Sequence, residues 1–210
     1  MLINIEEVNR ILLSKGINIT GCFHVGAHNC EELVYYNKIG IKDEDIIWID
    51  AIPSKVDEAI KRGIPNVYNA IITDTDDKDV TFNIASNIQS SSILELGTHK
   101  YEYPNIVYFN TIKTQGITID SFFERNNINP SKYNFWNFDI QGAELLALKG
   151  ATKSIQYAKA MYLEVNEKEL YKKCGLINEI DVFLLKYNFK RVLTKMTPQG
   201  WGDALYILDI

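Results

Sequence analysis

A glycine closes the first apolar strand pattern of this chain, and a carboxylate closes the second. Phe23-His24-Val25-Gly26-Ala27-His28 reads as a buried strand that breaks at glycine and opens into a helix around Glu31 and Glu32. About one βα unit later, Ile46-Ile47-Trp48-Ile49 ends on Asp50. In doubly wound α/β folds, glycine at the first turn lets the backbone approach a ligand. An acidic residue closing the second strand accepts hydrogen bonds from ribose hydroxyls. Asp50 is therefore expected to recognise the ribose of an adenosine cofactor. The competing reading is plain polarity ahead of a helix that begins near Pro53.

The same alternation runs along most of the chain. Residues 4–14 have an amphipathic helical pattern through Val8, Ile11 and Leu12. Strands are expected at 20–25, 46–50, 66–72, 135–140 and 159–165, with helices at 31–38, 53–62, 120–127, 144–149 and 177–187 between and after them. Gly150 is expected to stop the 144–149 helix. Residues 189–193 and 204–208 are separated by little more than a turn and predict an antiparallel pair at the C-terminal edge of a parallel sheet. Residues 80–119 break the rhythm: 80–84 alternates as a half-buried strand, 87–92 is a polar loop, and 106–119 supplies more strand. The expected architecture is one domain spanning 1–210, α/β and mostly parallel, with an N-terminal helical segment at 1–19 and a β excursion inserted at 80–119.

Composition narrows the partners. At 210 residues the chain is long enough for one full core. A formal net charge of -5 leaves no overall basic field for phosphate backbones, so no nucleic-acid partner is expected. Cys22, Cys30 and Cys174 form no CxxC pair, which suits reduced thiols and a cytoplasmic location. No apolar run is long enough for a bilayer span, so no membrane partner is expected.

Carboxylates carry the rest of the chemistry. Asp139 follows Phe135, Trp136 and Phe138 at a strand end, the edge where open α/β sheets bind ligands. Helix capping by Asp139 or Gln141, with Glu144 in the first turn, is the competing reading. Glu164 sits in an apolar strand one unit later, and a carboxylate there needs a partner. Asp139, Glu164 and Asn166 are expected to converge at neighbouring strand ends. Such a trio can bind a divalent cation, hold substrate hydroxyls and accept a proton, or form a satisfied polar network. His28 is a further general-base candidate behind Asp139 and Glu164. His24 and His28 together make a poor zinc site without a third ligand. Asp74, after the third strand, can reach an adenine amino group or simply be solvated. Trp201, between two glycines, can line a pocket mouth.

Taken in order, FHVGAHNCEE, WIDAIP, NAIITD, SSSIL, ITIDSFF, NFDIQGAELLALKGA and GDALYIL resemble the FkbM-type methyltransferase family from the first strand almost to the C-terminus. The resemblance implies a Rossmann-like enzyme dependent on S-adenosylmethionine, acting on hydroxyls of sugars or natural products. It implies cofactor contacts at Gly26, Ala27 and Asp50, with Ala70, Ile71 and Asp74 around the adenine. Ser91 or Ser92 would meet the methionine end, and Asp139 and Gln141 would border the reacting centre. His24 is also expected to contact the cofactor, although it stands where many members carry an acidic anchor for the cofactor's amino group. Cys30 stands where many carry glycine, which crowds the turn. The expected activity is O-methylation of a small-molecule or glycan acceptor, with a nicotinamide-dependent oxidoreductase and a catalytically silent binding module as alternatives. The missing GxGxxG speaks against the oxidoreductase, because pyrophosphate needs close backbone approach.

Overall fold

A computed structural model describes residues 1–209. Seven strands form one sheet in the order β3-β2-β1-β6-β7-β9-β8. They are β1 (Cys22–Val25), β2 (Ile46–Asp50), β3 (Val67–Asn69), β6 (Phe135–Phe138), β7 (Ala160–Asn166), β8 (Phe189–Met196) and β9 (Trp201–Leu208). The first five pair parallel to one another. Strand β9 runs antiparallel and lies between β7 and β8, so the expected C-terminal pair is present with β8 at the edge. The inserted region is a separate two-stranded antiparallel sheet, β4 (Asp79–Ala85) with β5 (Tyr108–Gln115).

Two-residue alternation explains the two layers. Phe23, Val25, Ile47, Ile49, Trp136, Met161 and Leu163 face one side, against Phe122 and Phe123 of α5 (Ile119–Arg125), Leu145 and Leu148 of α6 (Glu144–Lys149) and Ile180 and Leu184 of α7 (Ile177–Leu185). Cys22, Ile46, Trp48, Phe135, Ala160 and Tyr162 face the other. There they meet Val8 and Leu12 of α1 (Ile5–Ser14), Tyr36 of α2 (Leu33–Lys38) and Ala59 of α3 (Pro53–Lys61). A strand buried on both faces calls for a mostly apolar run, and β1, β2, β6 and β7 are buried at every position, with His24, Asp50, Asn137, Glu164 and Asn166 as their polar exceptions. All three cysteines are buried and unpaired. No helix among the described residues is long and apolar enough to cross a membrane.

Three local expectations need correction. The third strand stops at Asn69, not 72: Ile72 turns away to bridge Ile117 at the base of the insertion, where Ile117 N–H donates to the Ile71 carbonyl at 2.9 Å. Helix α2 starts at Leu33, because His28 and Cys30 hold left-handed φ values of 44° and 55° and delay helical geometry. Gly150 ends α6 at φ -83°, so its freedom to turn left-handed is unused. Its role is close approach, since a Cβ would lie 2.4 Å from the Thr73 carbonyl oxygen.

Candidate functional site

Strand order reverses between β1 and β6, whose following connections leave in opposite directions along the sheet. This opens a crevice at their carboxyl ends, the position where such sheets bind ligands. A cavity of about 370 Å³ occupies it. Gly26 makes the crevice possible: its φ is +95°, and a Cβ would stand 1.9 Å from the Asp139 carbonyl oxygen. Only glycine lets the ends of β1 and β6 come this close.

Gly26, His28, Asp50, Ala70, Ile71, Ser91, Asp139, Gln141 and Glu164 all line the cavity. Asp50 is nearly buried and does more than the sequence suggested. Its Oδ2 accepts the His28 N–H at 2.7 Å and its Oδ1 the Ile52 N–H at 2.8 Å, tying the turn after β1 to the turn after β2. Burial raises its pKa, which these two backbone donors partly offset. A carboxylate has about four acceptor sites, so lone pairs remain for a ligand's hydroxyls. Ile49, Ile52, Ala70 and Ile71 make an apolar wall beside it, suited to a flat heteroaromatic base.

Glutamine organises the far side. The Gln141 amide donates to Asp139 Oδ1 at 2.7 Å and to Glu164 Oε2 at 2.6 Å, while its oxygen accepts the Tyr171 hydroxyl at 2.6 Å. Its own carbonyl accepts from Ser92 Oγ at 2.8 Å, and its backbone is left-handed at φ 55°. Asp139 is open to the cavity, whereas Glu164 is buried at 5% exposure. Burial, and next the Asp139 charge, drive the Glu164 pKa well above the carboxylate range. That shift favours the protonated form of Glu164. Asp203, its cross-strand partner on β9, also lines the cavity and is raised by burial. It accepts the Leu2 N–H and the Tyr162 hydroxyl. A lone acidic residue within the apolar GDALYIL run was the signal for it.

Several expected contacts lie elsewhere. His24 belongs to the opposite face from Val25, where Nδ1 bonds the Tyr36 hydroxyl at 2.7 Å and Nε2 the Gly26 carbonyl at 3.2 Å. It is a satisfied core histidine, not a cofactor contact. Ala27 is buried beneath the turn in the same layer. Asp74 is carried past the apolar wall by the Ile72 diversion and accepts the Thr73 and Thr75 hydroxyls, both at 3.2 Å. Asn166 is fully buried, off the cavity, with neither side-chain polar atom partnered. The cation trio of Asp139, Glu164 and Asn166 therefore fails, and an amide already bridges the two carboxylates. No group of three His, Cys, Asp or Glu among the described residues could hold a metal. Neither Asp139 nor Gln141 caps α6. The loop before it is held by Glu144, whose Oε1 accepts the Ile140 and Gly142 N–H groups at 2.9 and 3.2 Å. His28 is engaged through Nδ1 with Glu31 at 2.7 Å.

The lining is electrostatically one-sided. Glu31, Glu32, Asp50, Asp139 and Asp203 line the cavity beside Glu164, whose protonated form is favoured, and among the described residues no lysine or arginine does. Low-dielectric walls concentrate that field. Such a cavity favours a cation and repels a pyrophosphate, so its residues fit a sulfonium cofactor better than a nicotinamide dinucleotide.

Sequence comparison finds a family described as "Methyltransferase FkbM domain" over residues 24–191. No curated protein matches the chain. Among solved structures, a protein of the NADB-Rossmann superfamily from Streptococcus agalactiae is similar at 11% identity and TM-score 0.51, over 99% of this chain and 68% of that one. A magnesium protoporphyrin IX methyltransferase from Synechocystis PCC 6803 with bound SAM is 12% identical, TM-score 0.46, over 98% and 78%. A ribosomal protein L11 methylase from Lactobacillus delbrueckii subsp. bulgaricus is 8% identical, TM-score 0.48, over 98% and 79%. At 11% identity the first likeness bears on the fold alone.

Proposed function

Since the chain belongs to the FkbM methyltransferase domain family, we propose that its cavity binds S-adenosylmethionine and serves methyl transfer to a hydroxyl of a sugar or similar polyhydroxylated small molecule. The observation that carries this reading is the anionic crevice between β1 and β6, with an apolar wall at one end and the Asp139–Gln141–Glu164 network at the other. When bound, the cofactor supplies a methyl group on positively charged sulfur.

The chain's residues do the rest. Ala70, Ile71, Ile49 and Ile52 pack the base, and Asp50 takes the ribose hydroxyls. Asp139, open to the cavity, faces the positive centre and holds the acceptor hydroxyl in line. Gln141 fixes the Asp139 carboxylate so that it need not reorganise. Ser91, buried at the cavity edge with Oγ accepting the Ala85 N–H at 3.0 Å, presents itself to the cofactor's methionine end. Alignment of two held reactants away from water accounts for a large share of such a rate.

The test is transfer of labelled methyl from S-adenosylmethionine to a panel of methyl glycosides and polyols. Label should enter at least one acceptor, and Asp139→Asn should abolish it while cofactor binding survives. Cofactor binding with no transfer to any hydroxyl would remove the O-methylation reading and leave the silent-module alternative.

A further inference from the structure

The inserted β region also brings a histidine to the cavity. Helix α4 (His99–Glu102) opens with His99, which lines the cavity at 4% exposure. Its backbone is clamped in place: Gly97 and His99 N–H donate to the Leu170 carbonyl at 2.7 and 3.1 Å, and Thr98 N–H donates to the Glu169 carbonyl at 2.8 Å. The ring lies against Tyr103 and Tyr171, with centroids 4.9 and 5.3 Å away. Yet Nδ1 is buried with no hydrogen-bond partner among the described residues.

That orphan needs a reason, because a buried unsatisfied polar group costs about 1–3 kcal/mol. The other two histidines are satisfied by Tyr36 and Gly26, and by Glu31. Neither neighbouring phenol turns to His99. The Tyr103 hydroxyl accepts from Trp201 Nε1 at 2.9 Å, and the Tyr171 hydroxyl donates to Gln141. The ring is therefore held in position by packing at the cavity wall, with hydrogen-bonding capacity that no group among the described residues uses. Burial also lowers its pKa, so the ring is neutral and able to accept a proton.

Resting on the methyltransferase reading, we infer that His99 takes the proton of the acceptor hydroxyl, within an acceptor subsite walled by Tyr103, Tyr171 and Trp201. The acceptor O–H proton passes to the unprotonated ring nitrogen as an oxygen lone pair bonds the methyl carbon. The carbon–sulfur electron pair stays on sulfur and cancels its charge, and the imidazolium then releases its proton to solvent. Three aromatic side chains with a polar handle suit a ring having an apolar face and a hydroxylated rim. Asp139 keeps its positioning role across the cavity, linked to this wall through Gln141 and Tyr171.

The test is ring NMR on the full chain loaded with S-adenosylhomocysteine. The chain has 3 histidines, so the signals that vanish in His99→Gln assign the ring. Methyl glycopyranosides are the probes. The His99 ring should be neutral at neutral pH and its nitrogen signals should move on glycoside addition, while those of His24 stay. With S-adenosylmethionine, His99→Gln should slow methylation of that glycoside about a hundredfold and remove the acid limb of the pH profile. His99→Phe retains the aromatic packing without either nitrogen; it should bind S-adenosylhomocysteine normally and show the same defect. A ring charged at neutral pH, a ring indifferent to every glycoside, or wild-type transfer by either variant overturns the inference. Failure of the wild-type chain to bind S-adenosylhomocysteine would instead count against the methyltransferase reading itself.

Discussion

Substituting Gly26 by alanine should be among the most damaging single-methyl additions to this protein. An alanine at φ +95° suffers about 1–2 kcal/mol of backbone strain. Its Cβ would lie 1.9 Å from the Asp139 carbonyl oxygen and 2.8 Å from the carbonyl carbon, so the ends of β1 and β6 must separate by more than an ångström. Forcing such a shift in packed structure costs about 1–3 kcal/mol. The separation also breaks the Asp139 N–H bond to the Val25 carbonyl, 3.0 Å in the intact protein and worth about 0.5–1.5 kcal/mol. Together these give roughly 3–6 kcal/mol, against a total stability of about 5–15 kcal/mol for a domain. Gly40→Ala is the control: its φ is +89°, but nothing lies within 4 Å of the added methyl. It should cost only the strain, about 1–2 kcal/mol. Urea unfolding of both variants at a common slope separates the two contributions. The Gly26 variant should also lose affinity for S-adenosylmethionine before it unfolds, because Asp139 moves with its carbonyl. Equal destabilisation by the two alanines would refute the close approach on which the crevice depends.

Two further outcomes follow from the carboxylates. In Asp50→Asn the amide has one acceptor oxygen for two backbone donors, so the His28 or Ile52 N–H is stranded. Unfolding experiments should show a loss of about 1–3 kcal/mol together with weaker cofactor binding, and unchanged stability would remove Asp50 as the tie between the two turns. Glu144, pushed from 4.5 up to about 8 chiefly by burial, keeps in the folded state a proton that the unfolded chain gives up. Stability should therefore be greatest in mild acid and fall as pH rises from about 4.5 to about 8, with Glu164 acting in the same sense. Glu144→Gln should flatten that fall, as urea midpoints across the range would show; an unaltered slope would mean that Glu144 is ionised in the fold.

The strand ends were legible because burial on both faces leaves a plain record. Apolar runs such as Ile46 to Ile49 stop where the chain must turn, and Gly26, Asp50 and Asp139 stand at those stops. The β excursion was equally visible as a change from helical rhythm to two-residue alternation. What periodicity omits is which way a strand-end side chain points and what the next turn does with it. His24 differs from Val25 by one residue, and the pleat sends it to the face covered by α1, α2 and α3, where it meets Tyr36. Asp74 fell off the site because Ile72 pairs with Ile117, a contact spanning the whole insertion. His99 lies in HKYE, a four-residue helix with no local pattern. Only the docking of 97–99 onto 169–170 brings it to the cavity. Asn166 sits at the expected strand end, yet its side chain is buried away from the ligand edge.

The most direct measurement is calorimetric titration of the protein with S-adenosylmethionine, S-adenosylhomocysteine and NADH. An anionic crevice with an apolar base wall should bind the first two at about micromolar dissociation constants and reject the dianionic pyrophosphate of the third. NADH binding, with neither adenosyl sulfur compound bound by a demonstrably folded sample, would contradict the account at its centre.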